Sequence, residues 1–234
     1  MDKILKPLFD TVVDYPTLKK RVALLTWIAA IGGLALLSSQ VSQVSEFLGK
    51  AGPSTTVFGL TISLMYLVLT LPFALLARIV KLHDTLSDVL RVRHRFDVFN
   101  VLFPLAAASG ASLSAMQLGR VAQSRRALMN AAFYRYASST KPAIDEHLIH
   151  EALDTWSWIW VLSEALVVTA LVSVVLVVYG RLEATLWLAL GAVIAIALMR
   201  LLYVRCSRLA LDEVAAITSD NERKMAIRAL FHAL

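Results

Sequence analysis

Two ionisable residues lie inside stretches of sequence that are otherwise almost entirely apolar. Glu164 lies within residues 156–179, and Arg200 lies within residues 185–204. Charged side chains are costly in the hydrocarbon core of a membrane and mark ion pathways, gates or buried pairs there. With a turn near residues 181–182 and a helical rise of about 1.5 Å per residue, both residues reach a similar depth. We therefore predict a Glu164–Arg200 ion pair, which either locks a helical hairpin or opens as a gate.

A second candidate site is a group of basic side chains between residues 91 and 141. This range contains a single acidic residue, Asp97. Its members are Arg91, Arg93, Arg95, Arg120, Arg125, Arg126, Arg135 and Lys141. Such a cluster favours a binding surface for an anionic ligand, either a nucleotide or a short oligonucleotide. Tyrosines on both sides of Arg135 add stacking partners, and we expect Arg125, Arg126 and Arg135 to make the main contacts. The alternative is a solvated or lipid-facing surface that only sets the membrane topology.

Residues suited to catalysis are scarce. His147 and His150 are three residues apart beside carboxylates, whereas zinc-protease helices space their histidines by four with a glutamate after the first. The sequence contains no glycine-rich phosphate loop and no nucleophile elbow. The one cysteine, Cys206, excludes an internal disulfide. We expect no enzymatic activity, no catalytic residue, no metal site and no cofactor.

The elements that must position these residues follow from the composition. Of 234 residues, 58% are hydrophobic and 17% are charged, with a mean hydropathy of +0.68. Soluble domains average roughly 45–50% apolar and about 25% charged residues. Four apolar segments are long enough to cross a hydrocarbon core of about 30 Å, namely 22–39, 57–80, 156–179 and 185–204. The predicted fold is therefore all-α, a polytopic membrane protein with four transmembrane helices and a helical cytoplasmic insert.

The distribution of lysine and arginine predicts the orientation. Segments 1–21, 40–56, 81–154, 180–184 and 205–234 hold five, one, nine, one and five of these residues. The positive-inside rule then places both termini and the long insert in the cytoplasm. The domains expected are an N-terminal arm with the first hairpin (1–80), the insert (81–154), a second hairpin (155–206) and an amphipathic tail (207–234).

Two further segments have more than one interpretation. Residues 96–118 carry one charge and are nearly long enough to span, but Asn100, Pro104 and Gly110 interrupt them. They form either a buried core helix or a re-entrant element. In the tail, Ser219 and Glu222 match a capping box before an apolar helical stripe. That stripe packs on the insert, on the bilayer surface or, as we favour, on another protomer.

In its order of short hairpin, basic insert, second hairpin and tail, the chain resembles the small multi-pass membrane effectors of bacterial antiphage defence. That resemblance implies a homo-oligomeric, pore-forming or channel-like protein of the bacterial inner membrane, gated by a nucleotide or oligonucleotide signal or by an operon-encoded partner protein. The same order is also similar to flagellar-type proton-driven stator subunits. This second resemblance implies instead a structural or energy-transducing subunit of a larger membrane complex.

Overall fold

The structure is a computed structural model that describes residues 10–49, 54–57 and 60–234, most of which are helical. The helices are α1 (Tyr15–Gln40), α2 (Ser42–Gly49), α3 (Leu64–Ile79), α4 (Leu82–Val89), α5 (Val92–Phe96), α6 (Phe103–Ser109), α7 (Ala115–Gln123), α8 (Arg125–Leu128), α9 (Glu146–Val178), α10 (Leu182–Thr218) and α11 (Asn221–His232). Two π-helical segments, Asp97–Leu102 and Met129–Tyr134, follow α5 and α8. Two short strands, β1 (Ser54–Val57) and β2 (Leu60–Ser63), form an antiparallel hairpin.

Three of these helices, α1, α9 and α10, are long and apolar enough to cross a membrane. A fourth candidate is the pair formed by α3 and α4, which is bent by 53° at a short break. The predicted class, a mainly helical chain with several helices of membrane-spanning length, is therefore confirmed.

The second predicted span is shorter than the sequence indicated. Among the described residues of 57–80, the helix covers Leu64–Ile79, because the described residues before it pair as strands with Thr56 opposite Thr61 and Val57 opposite Leu60. Threonine and valine are β-branched and favour extended backbone. The hydropathy of the segment does not reveal this preference. The first nine residues of the N-terminal arm and the predicted loop position Lys50 lie outside the described residues.

The chain divides into two compact units, and the first comprises the described parts of residues 19–83 and 158–201. In this unit α1 packs closely on α9, where a Cβ added at Gly33 would lie 2.8 Å from Val172 and 3.2 Å from Val168. A larger side chain at Gly33 would therefore separate the two helices. Val41 and Leu176 complete the buried cluster around this contact.

The second unit comprises residues 10–18, 84–157 and 202–234. Its C-terminal helix α11 packs on α6 and buries Ile227 and Phe231 completely. Within residues 96–118, Leu102 and Leu105 are also fully buried, so this stretch contributes to the core of the unit. The N-cap of α11 is Asp220, one residue after the predicted cap.

The packing of α11 is testable by truncating its most buried side chain. Replacing Phe231, which is 0% exposed, with alanine is expected to lower the free energy of unfolding by about 3–5 kcal/mol because it leaves a cavity. The matched control is Met225→Ala on the same helix, where the side chain is 72% exposed. Thermal unfolding in detergent measures both variants. Equal melting temperatures would contradict this packing.

Candidate functional site

Glu164 occupies a core position of the first unit. The buried residues Val161, Glu164, Val168, Val172 and Leu176 are three or four positions apart on α9, so they share one face of the helix. Only 1% of Glu164 is exposed. A carboxyl group in such surroundings is stable only with polar partners, because burying an unpaired charge or an unsatisfied oxygen is costly.

The partners of Glu164 come from α1 and from the start of α4. Its Oε2 accepts a hydrogen bond from the hydroxyl of Thr26, and its Oε1 lies 3.1 Å from Nδ1 of His83. The His83 ring stacks on Trp160, with ring centroids 4.5 Å apart and an interplanar angle of 27°. All four side chains are buried. We refer to Thr26, His83, Trp160 and Glu164 as the Glu164 cluster.

Local sequence explains why α1 presents Thr26 at this place. Leu18, Val22, Thr26 and Ala30 are each four residues apart and all are buried, so one stripe of α1 is covered. The Thr26 hydroxyl also contacts the carbonyl oxygen of Val22, at 2.8 Å, as threonine commonly does within a helix. In the sequence, the feature that could have indicated Thr26 as a partner of Glu164 is that it is a polar residue on the covered stripe of an apolar helix.

Burial along α4 does not follow its apolar residues. Val89 is exposed, whereas His83 and Ser87 are buried. Lys81 precedes the helix with a φ of 48°, which turns the chain between α3 and α4. Because α4 has only eight residues, its packing outweighs its own amphipathic pattern. His83 was therefore not among the predicted site residues.

The structure places Glu164 and Arg200, the two residues of the predicted ion pair, in different surroundings. Glu164 contacts Thr26 and His83, whereas Arg200 lies on an exposed face of α10. Similar depth along two antiparallel helices does not fix the direction of a side chain, because each residue rotates the direction by about 100° around the axis. The rotation of α9 directs Glu164 towards α1.

Of the predicted ligand-binding arginines, Arg125 has a structural role in the second unit. Its Nη1 lies 2.7 Å from Oδ2 of Asp97, and both residues are buried. Burial raises the pKa of Asp97, while Arg93 and Arg125 oppose this by lowering it. Arg93 is half-buried, with its Nη1 3.3 Å from Oδ1 of Asp84. Each of these two arginines therefore has a carboxylate partner within the unit.

The remaining predicted basic residues are exposed, namely Arg91, Arg95, Arg120, Arg126, Arg135 and Lys141. Arg126 lies 3.7 Å from Asp88 at the surface, and Arg120 donates a hydrogen bond to the backbone oxygen of Leu234. The Arg135 guanidinium lies 5.7 Å from the ring centroid of Tyr136, which is within cation–π range. These six side chains are the part of the predicted surface that an anionic ligand can reach.

The chemistry available in the Glu164 cluster is proton exchange and hydrogen bonding. A carboxyl, an imidazole and a hydroxyl group are in contact, and two of the three titrate. In the part of the chain that the structure describes, no group of three or more histidine, cysteine or acidic side chains is arranged to hold a metal ion, including the region of His147 and His150.

The described residues form a mainly helical protein in which three helices, or up to four, are long and apolar enough to cross a membrane. The chain matches the model of the YmfE protein family over residues 16–233, so it belongs to that family. No curated protein and no solved structure matches it.

The different roles of two neighbouring arginines give a direct test. Arg125→Gln is expected to lower the free energy of unfolding by about 3–5 kcal/mol, because it leaves the Asp97 carboxylate buried without its partner. Arg126→Gln removes a surface charge and should change the same quantity by less than about 0.5 kcal/mol. Chemical unfolding of the two variants measures the difference. If Arg125→Gln were as stable as Arg126→Gln, the structural role of Arg125 would be wrong, and Arg125 would remain a candidate ligand contact.

Proposed function

We propose that the protein is an oligomeric, channel-like effector of the bacterial inner membrane in which the Glu164 cluster controls ion permeability. The observation that carries the proposal is the burial of Glu164 with His83 in an apolar helical unit. Ionisable residues within membrane helices are typical of ion pathways and gates.

The energetics of the pair support a functional role. Replacing a buried ionic or strongly polar pair with apolar residues of similar volume is often neutral or stabilising in other proteins. Glu164 interrupts a stripe that otherwise consists of valine and leucine from Val161 to Leu176. A side chain such as leucine at position 164 would continue that stripe, so helix packing alone does not require the acid.

For the membrane arrangement we propose four crossings, in which α3 completes the set formed by α1, α9 and α10 and the 53° bend after it leaves α4 on the cytoplasmic side. Residues 81–154 and both termini lie in the cytoplasm, in agreement with the lysine and arginine distribution.

This topology predicts the behaviour of reporter fusions. Fusions at Lys50 and Arg181 should read as periplasmic, and a fusion at Lys141 should read as cytoplasmic, because 19 of 23 basic residues then lie inside. Paired alkaline phosphatase and fluorescent-protein fusions measure this. A cytoplasmic signal at Lys50 or Arg181 would exclude the four-crossing arrangement.

The ligand we propose is an anionic nucleotide or short oligonucleotide that binds the exposed basic side chains of the insert. Arg135 and Tyr136 provide a charge beside a stacking ring. Arg126 lies in the same part of the chain and is exposed. Contacts of this kind are sensitive to salt, because phosphate binding releases counterions.

Membrane potential is the direct test of the proposed function. Expression of the wild type, alone or with the protein encoded beside it, should depolarise cells, whereas Glu164→Gln should return the signal to that of cells without the protein. Glutamine keeps the size and hydrogen bonding of the side chain and removes its titration. The matched control is Glu183→Gln, an exposed acid in the first turn of α10, which should remain active.

Membrane insertion is measured in parallel for every variant. A wild type that inserts and never depolarises cells, with or without its neighbour, would overturn the channel-like function. In an active wild type, Arg126→Gln plus Arg135→Gln should abolish activation without loss of insertion, and full activity of this variant would overturn the ligand site.

A further inference from the structure

We propose that the Glu164 cluster is a proton-binding site in which Glu164 and His83 share one exchangeable proton, and that its occupancy gates the channel. The site itself follows from the contacts within the first unit. Only its link to gating rests on the function proposed above.

The donor set favours a proton over a metal cation. The cluster offers one carboxyl group, one imidazole nitrogen and one hydroxyl group, and Oε1 of Glu164 lies 3.1 Å from Nδ1 of His83. This distance is suited to a hydrogen bond between the two titratable groups. Hard cations such as Ca²⁺ and Mg²⁺ take about six or more oxygen ligands. A proton needs only two partners.

Charge balance then distinguishes three states of the pair. With one proton shared between Glu164 and His83 the pair is neutral overall, either as a neutral acid beside a neutral imidazole or as an internal ion pair. Without that proton it carries one buried negative charge, and with a second proton it carries one buried positive charge. A net charge in apolar surroundings is costly, so the one-proton state is the packed state.

The other charged groups of this unit include three arginines. Arg21 of α1 is buried with its guanidinium 5.3 Å from the ring centroid of Trp158, and Arg78 of α3 donates to the carbonyl oxygen of Lys19 at 2.7 Å. Arg200 of α10 is exposed. Among the described residues of the unit, Glu164 is the buried acid and His83 the buried histidine.

The position of the pair connects its charge to helix packing. Glu164 lies on α9, Thr26 on α1 and His83 at the start of α4, so the carboxyl group joins three helices through two contacts. Adding a second proton places two protonated groups face to face and removes the acceptor of the imidazolium. Acidification therefore loosens the contact that fixes the start of α4 on α9.

Trp160 provides a reporter of the protonation of His83, because an imidazolium ring quenches the fluorescence of an indole that it contacts. The full-length protein is placed in vesicles of phosphatidylcholine and phosphatidylglycerol, and tryptophan emission is titrated from about pH 5 to 8. Trp160→Phe identifies the Trp160 contribution. Trp187→Phe, which removes an exposed tryptophan, is the matched control.

The expected result is a quenching step that requires both Trp160 and His83. In Glu164→Gln the midpoint of the step should differ from that of the wild type, because the carboxyl group in contact with the imidazole is gone. Glu183→Gln should leave the midpoint unchanged, and His83→Gln should abolish the step. The proton site would be overturned if no quenching step depended on Trp160. It would also be overturned if the wild type and Glu164→Gln had the same midpoint. A midpoint that moves when sodium replaces choline would instead assign the site to a metal cation.

The link to gating is tested separately on the same vesicles by release of trapped potassium. Wild-type release should rise at the acid end of the titration, where the second proton binds the pair, and release through His83→Gln should lose this dependence. A normal quenching step with pH-independent release would overturn gating and leave the proton site intact. A normal step with no release at any pH, together with no depolarisation in cells, would overturn the proposed channel function.

Discussion

The burial of one carboxyl group, that of Glu164, constrains the arrangement of the first unit. Because α1 and α9 meet closely at Gly33, the stripe of α9 that carries Glu164 is covered by α1, and the acid has no access to solvent. Its oxygens must then find partners on neighbouring helices. Thr26 and His83 provide them, and the start of α4 is held by the second of these contacts.

Charge in the second unit is divided between core and surface. The Asp97–Arg125 pair is buried beside the core formed by the first π-helical segment and α6, while Arg126 is exposed one residue further along the chain. One arginine therefore contributes to stability and its neighbour remains available to a ligand. A count of basic residues along the sequence treats the two alike, since it contains no information about burial.

Hydropathy along the chain predicted some features of the fold and missed others. The long helices followed from apolar runs, and the role of residues 96–118 as core was one of two predicted alternatives. The β-hairpin before α3 was not predicted, because the hydropathy of a β-branched residue is the same whether it lies in a strand or in a helix. The left-handed turn at Lys81 carries no glycine that would have signalled it.

By itself, the sequence determined the class of protein, the approximate helix positions and the presence of an acid within an apolar helix, because these depend on hydropathy along a single chain. Tertiary structure decided the partner of that acid. Glu164 and Arg200 matched in depth, yet the acid faces His83, because the close contact at Gly33 fixes the rotation of α9. Helix rotation depends on packing between distant segments, and a periodicity read along one helix does not contain it.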